Sequence, residues 1–358
     1  MPEPSISLEA ALRLRERGAL LVDVRSPAEY AEATIPGALN VPILNDAERA
    51  EIGTLYKQVG RQQARRRGVE VVAPKLPALI EQVAAARLAG SPPVVVFCWR
   101  GGMRSRAMTQ FLELAGIPAR QLAGGHKAFR GVVRDFFESG SWGRLLVLRG
   151  LTGVGKTRLL HRLAADGYPV IDLEGLANHR GSAFGHLGLG AQPNQRMFEA
   201  RLWDALRRVP ADGYALAEGE SRHIGRLALP PRVHQALQRE VSIWVEAPLA
   251  TRVDNILADY PARNDQRREF AGPIQALKGR LGRQAVAELL ELLEQGAWEE
   301  LAGELMVRYY DPLYRHTLPE RRVEVRVAAG DEGLTDLKRA IAAVLDDRIS
   351  VTGVADEG

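Results

Sequence analysis

Cysteine is almost missing from this chain of 358 residues, with Cys98 as its one thiol. A single thiol excludes an internal disulfide framework and a multi-cysteine metal site. Long apolar runs are missing too. Stretches such as Val94–Phe97 and 145–148 are of strand length, far below the ~20 residues a membrane helix needs, so no membrane segment is expected. The opening MPEPSISLEAALRLRERG has no apolar core of the secretory type, and the expected location is the cytoplasm. No internal repeat or low-complexity stretch is present. What remains is a composition of 46% hydrophobic and 26% charged residues, which is that of a globular protein with room for two domains.

The formal net charge is +4, and it is unevenly spread. Residues 1–140 hold 19 basic against 14 acidic side chains, and the remainder 29 against 30. The surplus gathers in Arg61, Arg65, Arg66 and Arg67, and again in Arg100, Arg104 and Arg106. Such a cluster suits a polyanionic partner; a solvated helix face is the plain alternative for 61–67.

Segments alternate along the first half. Helical spacing covers 7–16, 48–64, 75–89 and 105–115, with strand-like runs at 20–24 and Val94–Phe97. Alternation of this kind predicts an α/β domain with a mostly parallel sheet. The stretch 136–143, FFESGSWG, interrupts it and marks a junction, giving domains 1–138 and 143–350. In the second, a strand at 144–148, a glycine-rich turn at 150–155 and a helix at Lys156–Ala165 follow one another. Further strands are expected at 169–173, Tyr214–Glu218 and Ser242–Glu246, then a helical region over 264–310, with fraying from about Ser350.

The richest chemistry lies in Val94-Val95-Val96-Phe97-Cys98-Trp99-Arg100-Gly101-Gly102-Met103-Arg104-Ser105. A buried strand delivers a cysteine to its C-terminal end, where open α/β sheets bind ligands. Two glycines let the backbone turn tightly, aiming amide N–H groups at the sulfur, and a helix N-terminus adds positive potential. Arg100 or Arg104 supplies full charge. These conditions favour a thiolate nucleophile; an inert core cysteine is the bland alternative.

Here the chain resembles the rhodanese family. Leu21-Val22-Asp23-Val24-Arg25-Ser26-Pro27-Ala28-Glu29-Tyr30, Ile35-Pro36-Gly37-Ala38-Leu39-Asn40-Val41-Pro42 and Gly124-Gly125-His126-Lys127-Ala128-Phe129 carry the likeness. It implies that Cys98 carries a persulfide or its selenium analogue. One departure is informative. Sulfur-transferring rhodaneses commonly place four residues between cysteine and arginine, whereas five separate Cys98 from Arg104. The wider cradle, shared with cysteine phosphatases, suits a phosphate-sized group.

Gly150-Leu151-Thr152-Gly153-Val154-Gly155-Lys156-Thr157 fits the P-loop pattern between a strand and a helix, the context it requires. Gly150, Gly153 and Gly155 let amides wrap a diphosphate, Lys156 neutralises it, and Thr157 is placed for a magnesium ion. Glu218 ends a strand as the acidic residue of a phosphate-site strand does. Polar loops follow at 174–182 and 220–226, beyond strand ends, where loops normally line a site. His179, His186 and His223 lack metal spacing, so no metal site is expected, and His179, Arg180, Arg222 and His223 are read as phosphate or RNA contacts.

The order of the two domains resembles the tRNA 2-selenouridine synthases. The residues in question are Cys98 to Ser105, Gly150 to Thr157, Asn178-His179-Arg180-Gly181-Ser182, Glu218-Gly219-Glu220-Ser221 and Gly53-Thr54-Leu55-Tyr56-Lys57 with Gly68. The resemblance implies exchange of sulfur for selenium in the wobble 2-thiouridine of a tRNA. Selenophosphate and geranyl diphosphate are the implied co-substrates, the first supplied by a selenophosphate-producing enzyme. No cofactor is firmly implied. Arg61, Arg65, Arg66, Arg67 and Gly68 would then meet tRNA. A rhodanese-type sulfurtransferase fused to an ATP-dependent kinase is the main rival; a dual phosphatase–kinase and a non-catalytic tRNA-binding protein are weaker ones.

Overall fold

The computed structural model describes residues 5–260, 264–315, 322–326 and 331–346. The chain divides into two compact units, residues 1–140 with Glu199–Asp204, and Ser141–Phe198 with the chain from Ala205 onward. Fraying from Ser350 lies outside the described residues.

In the first unit, β1 (Ser5–Ile6), β2 (Leu21–Asp23), β3 (Leu39–Asn40), β4 (Val94–Phe97) and β5 (Ala119–Leu122) form one sheet in the order β1-β5-β4-β2-β3. Every pairing is parallel. The central strand shows why these residues make a strand. Successive side chains leave opposite faces, so Val94, Val96 and Cys98 enter one apolar cluster with Met108 and Leu112. Val95 and Phe97 enter another with Phe129 and Val133. Buried on both faces, β4 reads as an unbroken β-branched and aromatic run, as parallel strands do.

The second unit adds β6 (Arg144–Gly150), β7 (Val170–Ile171), β8 (Tyr214–Glu218), a hairpin of β9 (His223–Ile224) and β10 (Leu227–Ala228), then β11 (Ser242–Glu246) and β12 (Arg322–Arg326). Its sheet runs β12-β11-β6-β8-β7, again all parallel. Register sets Leu148 of β6 beside Glu218 of β8, and Gly150 beside Val245 of β11. The loop that leaves β6 therefore starts next to the acidic tip of β8. Helices over 267–276, Lys278–Gln295 and Trp298–Leu305 carry their own apolar core around Phe270, Leu289, Trp298 and Tyr310.

Three expectations are corrected. The single helix over 48–64 is two, Asp46–Gln58 and Arg61–Val72, with the chain turning at Gly60 (φ 130°). The break expected over 136–143 is narrower, because the helix Gly125–Ser139 runs through Phe136 and closes when Gly140 N–H donates to the Phe136 carbonyl at 2.8 Å. The strand over 169–173 shrinks to Val170–Ile171. Asp172 accepts from Gly175 N–H and caps a helix beginning at Leu173, an N-cap preference stronger than the local strand tendency.

A buried ion pair pins the loop after β2. Arg25 and Asp23 are 2% and 0% exposed and meet at 2.6 Å; Arg25 also donates to the Ala33 carbonyl at 2.6 Å, and Thr34 donates to Asp23 at 2.8 Å. Removing one partner strands the other charge in a dry interior. Arg25→Met is expected to lower the opening free energy of the first unit by about 3–5 kcal/mol, read as faster hydrogen exchange of the Val94–Phe97 amides. A change below about 1 kcal/mol would refute the pair's structural role.

Candidate functional site

Cys98 stands immediately beyond β4 and is 3% exposed. Its sulfur accepts the Gly102 N–H at 3.3 Å and lies 3.1 Å from Ser105 Oγ. Gly102 is also the N-cap of the helix Met103–Leu114, so the first free amide of that helix is the one aimed at sulfur. Gln121 of β5 orders this arrangement. Its amide nitrogen donates to the Gly101 and Gly102 carbonyls at 2.8 and 3.1 Å and to Ser105 Oγ at 2.9 Å. The Ser105 hydroxyl also donates to the Gly102 carbonyl at 3.2 Å, so that carbonyl and the sulfur share its proton.

The glycine pair at 124–125 has a geometric reason. His126 and Lys127 N–H groups donate to the Cys98 and Trp99 carbonyls, each at 2.8 Å. A Cβ on Gly125 would lie 2.2 Å from the Cys98 carbonyl oxygen, and Gly125 sits at φ +56°. Only glycine allows that approach.

The two arginines of the loop differ. Arg100 is exposed. Arg104 is turned to Glu29, with contacts of 2.6 and 3.3 Å. Burial works against its charge, and the Glu29 carboxylate, with Cys98 and Asp23 nearby, raises its pKa overall. Glu29, itself opposed by burial, is held below the ordinary range by Arg104, Ser26 N–H and Arg49.

The phosphate loop spans Gly150 to Thr157 and opens the helix Lys156–Ala165. Its carbonyls are drawn outward: Arg252 Nε donates to Thr152 O and Asn255 Nδ2 to Gly153 O, each at 2.8 Å. Arg252 is 3% exposed and locked in a two-point pair with Asp311. With those carbonyls occupied, the loop's amides remain for an anion. Gly153 (φ +84°) is pressed close, since a Cβ there would stand 2.6 Å from Arg252 O and 2.9 Å from Met306 Cε. Lys156 Nζ reaches the Gly150 carbonyl at 3.2 Å, and Thr157 Oγ1 donates to Glu174 at 2.8 Å.

Carboxyl groups crowd beside Lys156. Glu218 is fully buried; one oxygen accepts the Leu173 N–H at 2.9 Å, and the other has no partner among the described residues. Burial, then Asp172 and Glu174, push it well above the usual range. Burial and Glu174 carry Glu220 up to about 7, and burial raises Glu174 too. A Cβ on Gly181 would meet Glu174 Oε1 at 2.7 Å and both Glu220 oxygens at 2.9 Å, so these two carboxyls flank that glycine. Among the described residues no group of three His, Cys, Asp or Glu side chains is arranged to hold a metal.

The remaining candidates are scattered. His179 is 7% exposed, its Nδ1 has no partner among the described residues, and burial with His186 and Arg180 lowers its pKa. It is a neutral, enclosed imidazole. Arg180 donates to Leu187 O at 2.7 Å and lies over the Tyr260 ring. Arg222 and His223 are exposed beside the small hairpin. Arg61, Arg65 and Arg66 are exposed on one helix, whereas Arg67 is paired with Glu51 and Glu70. Gly68 lies 3.9 Å from Ile52 Cδ1, measured from a Cβ built on it. Sequence reasoning missed Glu29, Gln121, Arg252 and Asn255. Gln121 sits in the short strand Ala-Arg-Gln-Leu beside another polar residue, and like Glu29, Arg252 and Asn255 it acts through tertiary contacts that the local pattern does not announce.

A cysteine loop at a parallel strand tip, followed on one chain by a P-loop unit, defines a rhodanese-like domain joined to a phosphate-binding α/β domain. Residues 7–131 match the rhodanese-like domain family. Residues 143–342 match the tRNA 2-selenouridine synthase AAA domain. The tRNA 2-selenouridine synthase of Nitrosomonas europaea is 35% identical, over 95% of this chain and 100% of that protein. That of Nitrosomonas eutropha is 33% identical over 95% and 99%, and that of Marinobacter nauticus 34% over 89% and 94%. The chain belongs to the tRNA 2-selenouridine synthase family.

The raised Glu220 gives a pH signature. Folded, the carboxyl holds its proton to about 7; unfolded, it releases it near the ordinary value of ~4.3. The folded state thus binds the extra proton between these limits, and its stability falls as pH rises through that window. Glu220→Gln carries no such charge. Its stability relative to the parent is expected to climb by up to about 3 kcal/mol between pH 4.5 and 7.5, then level off, in urea titrations at stepped pH. A flat difference would place an ionised carboxylate there.

Proposed function

We propose that this chain exchanges the sulfur of a wobble 2-thiouridine in tRNA for selenium, in two chemical stages and in the cytoplasm. The observation carrying the reading is the presence, on a chain of this family, of two separate anion cradles with different chemistry: a thiol beside an amide and a hydroxyl, and a P-loop with its lysine. In the first stage the thiocarbonyl sulfur attacks C1 of geranyl diphosphate. The carbon–oxygen bond breaks, and the departing diphosphate is stabilised by the loop's amides and Lys156. Sulfur bound to C2 of a uridine leaves poorly; alkylated, it leaves as a neutral thiol. In the second stage the Cys98 thiolate attacks the phosphorus of selenophosphate and the selenium–phosphorus bond breaks; the selenide released attacks C2 and expels geranyl thiol, and water then frees Cys98 of its phosphoryl group. A separate selenophosphate-producing enzyme is the donor.

The buried carboxyls fit this chemistry. Burial pushes Glu218 and Glu220 toward the protonated form, which lessens their repulsion of a diphosphate in the loop. Thr157 and Glu174 are the oxygens that would hold a magnesium ion if one accompanies the diphosphate, adding charge neutralisation; both already face each other at 2.8 Å. The tRNA backbone would meet Arg61, Arg65 and Arg66 on their exposed helix face.

Nucleoside mass spectrometry after incubating thiolated tRNA with geranyl diphosphate and selenophosphate tests the sequence of stages. Cys98→Ala is expected to accumulate the geranylated nucleoside and lose at least ~100-fold of the selenium product, the scale set by removing a covalent nucleophile. Lys156→Ala is expected to fail earlier, at geranylation. Normal selenation by Cys98→Ala would remove the thiol from the reaction. For tRNA binding, replacing Arg61, Arg65 and Arg66 together by Ala should flatten the log–log salt slope by roughly two to three, at about 0.9 for each phosphate that the arginines neutralise. Arg67→Ala, whose parent side chain is already paired, should leave that slope unchanged; an unaltered slope in the triple variant would move the RNA surface elsewhere.

A further inference from the structure

Within the second unit an apolar pocket counts Thr152 of the phosphate loop in its lining. Its walls include Tyr260, Phe270, Trp298, Ala302 and Tyr310. We infer that this pocket seats the isoprenoid tail of a prenyl diphosphate whose diphosphate lies in the P-loop, and that its walls set which tail length is accepted. The inference rests on the prenyl-diphosphate reading above and adds to it the residues that select the tail.

Three observations carry it. The pocket and the loop are mechanically one piece: Gly153 is packed toward Met306, a wall residue, and Arg252 of the neighbouring helix holds the Thr152 carbonyl. Thr152 belongs to both the loop and the lining, so the pocket adjoins the phosphate-binding turn. The lining is apolar in effect as well as in composition. Its Ser182 hydroxyl is shared with the hydroxyls of Tyr260 and Tyr310, and the Trp298 ring N–H donates to Asn264 at 2.6 Å. With those groups committed to one another, the wall offers a hydrocarbon a dry surface and offers the polar edge of a nucleobase little to bind, which would cost affinity. Finally, the wall from Met306 to Tyr310 is a π-helical turn, a costly geometry that is frequent at functional sites.

The test uses the full chain and two defined probes, inorganic diphosphate and geranyl diphosphate, in titration calorimetry. Wild type should bind geranyl diphosphate at least ~100-fold more tightly than diphosphate, the scale of burying several CH₂ groups. Ala302→Phe, which fills the pocket, should cut that advantage at least tenfold while diphosphate affinity stays within twofold. Ile256→Trp, on another helix of the lining, should do the same, so one misfolded variant does not leave the question open. In transfer assays with thiolated tRNA, both should shift preference from geranyl toward dimethylallyl diphosphate. Retention of the full geranyl advantage in both folded variants would overturn the pocket assignment while leaving geranylation intact. Loss of the advantage in the variants, with no prenyl transfer by wild type, would support the pocket and refute the two-stage reaction.

Discussion

Both loops answer the same constraint, which is the end of a buried parallel strand. The first carbonyls beyond β4 and β6 stand at the edge of a dry interior, where an unpaired backbone group is expensive. The chain must turn within a few residues and find partners for them. At Cys98 the partners are the first amides of the helix Gly125–Ser139; at the phosphate loop they are the side chains of Arg252 and Asn255. With those carbonyls held from outside, amides of the same turn are left for other acceptors: Gly102 N–H takes the Cys98 sulfur at 3.3 Å, and Val154 N–H turns back to the Leu151 carbonyl at 3.4 Å.

Crowding acidic groups beside an anion site looks self-defeating until their protonation is considered. Glu218 and Glu220 are buried, and neither has a cation in bidentate contact. Lys156 and Arg149 act on Glu220 at a distance and lose to desolvation. Neutral carboxyls differ from carboxylates in that they can donate. Glu218 accepts one backbone N–H and leaves its second oxygen unmatched among the described residues, the position a proton would occupy. The crowding therefore costs less than fully ionised carboxylates would, and Glu220 changes its charge near pH 7 beside the loop's lysine.

How much of this could be read from the residues varies with the range of the interaction. The run Val94–Phe97, the turn after it and the whole of Gly150 to Thr157 were legible because strand, glycine and phosphate-binding requirements all act within a dozen residues. The strands Tyr214–Glu218 and Ser242–Glu246 were legible for the same reason, as apolar runs closed by an acid. The edge strand Arg322–Arg326 was not: alternating charge and valine gives no buried run, and only pairing with β11 makes it a strand. Gly60, which divides the basic helix from its neighbour, is masked by the helical spacing on either side. The pocket walls come from residues between 152 and 310, an assembly no local pattern announces.

The five-residue spacing between Cys98 and Arg104 has a consequence visible only in three dimensions. It places Arg104 second in the helix Met103–Leu114, where the side chain finds Glu29 in place of the loop interior. Both groups are mostly shielded, and each holds the other charged. The immediate neighbours of the sulfur are therefore uncharged, the Gly102 N–H that donates to it and the Ser105 hydroxyl at 3.1 Å. An anion entering the loop would compete with Glu29 for one guanidinium, exchanging one ion pair for another without burying a new unpaired charge. A cradle arranged in this way can accept and release an anion at modest cost.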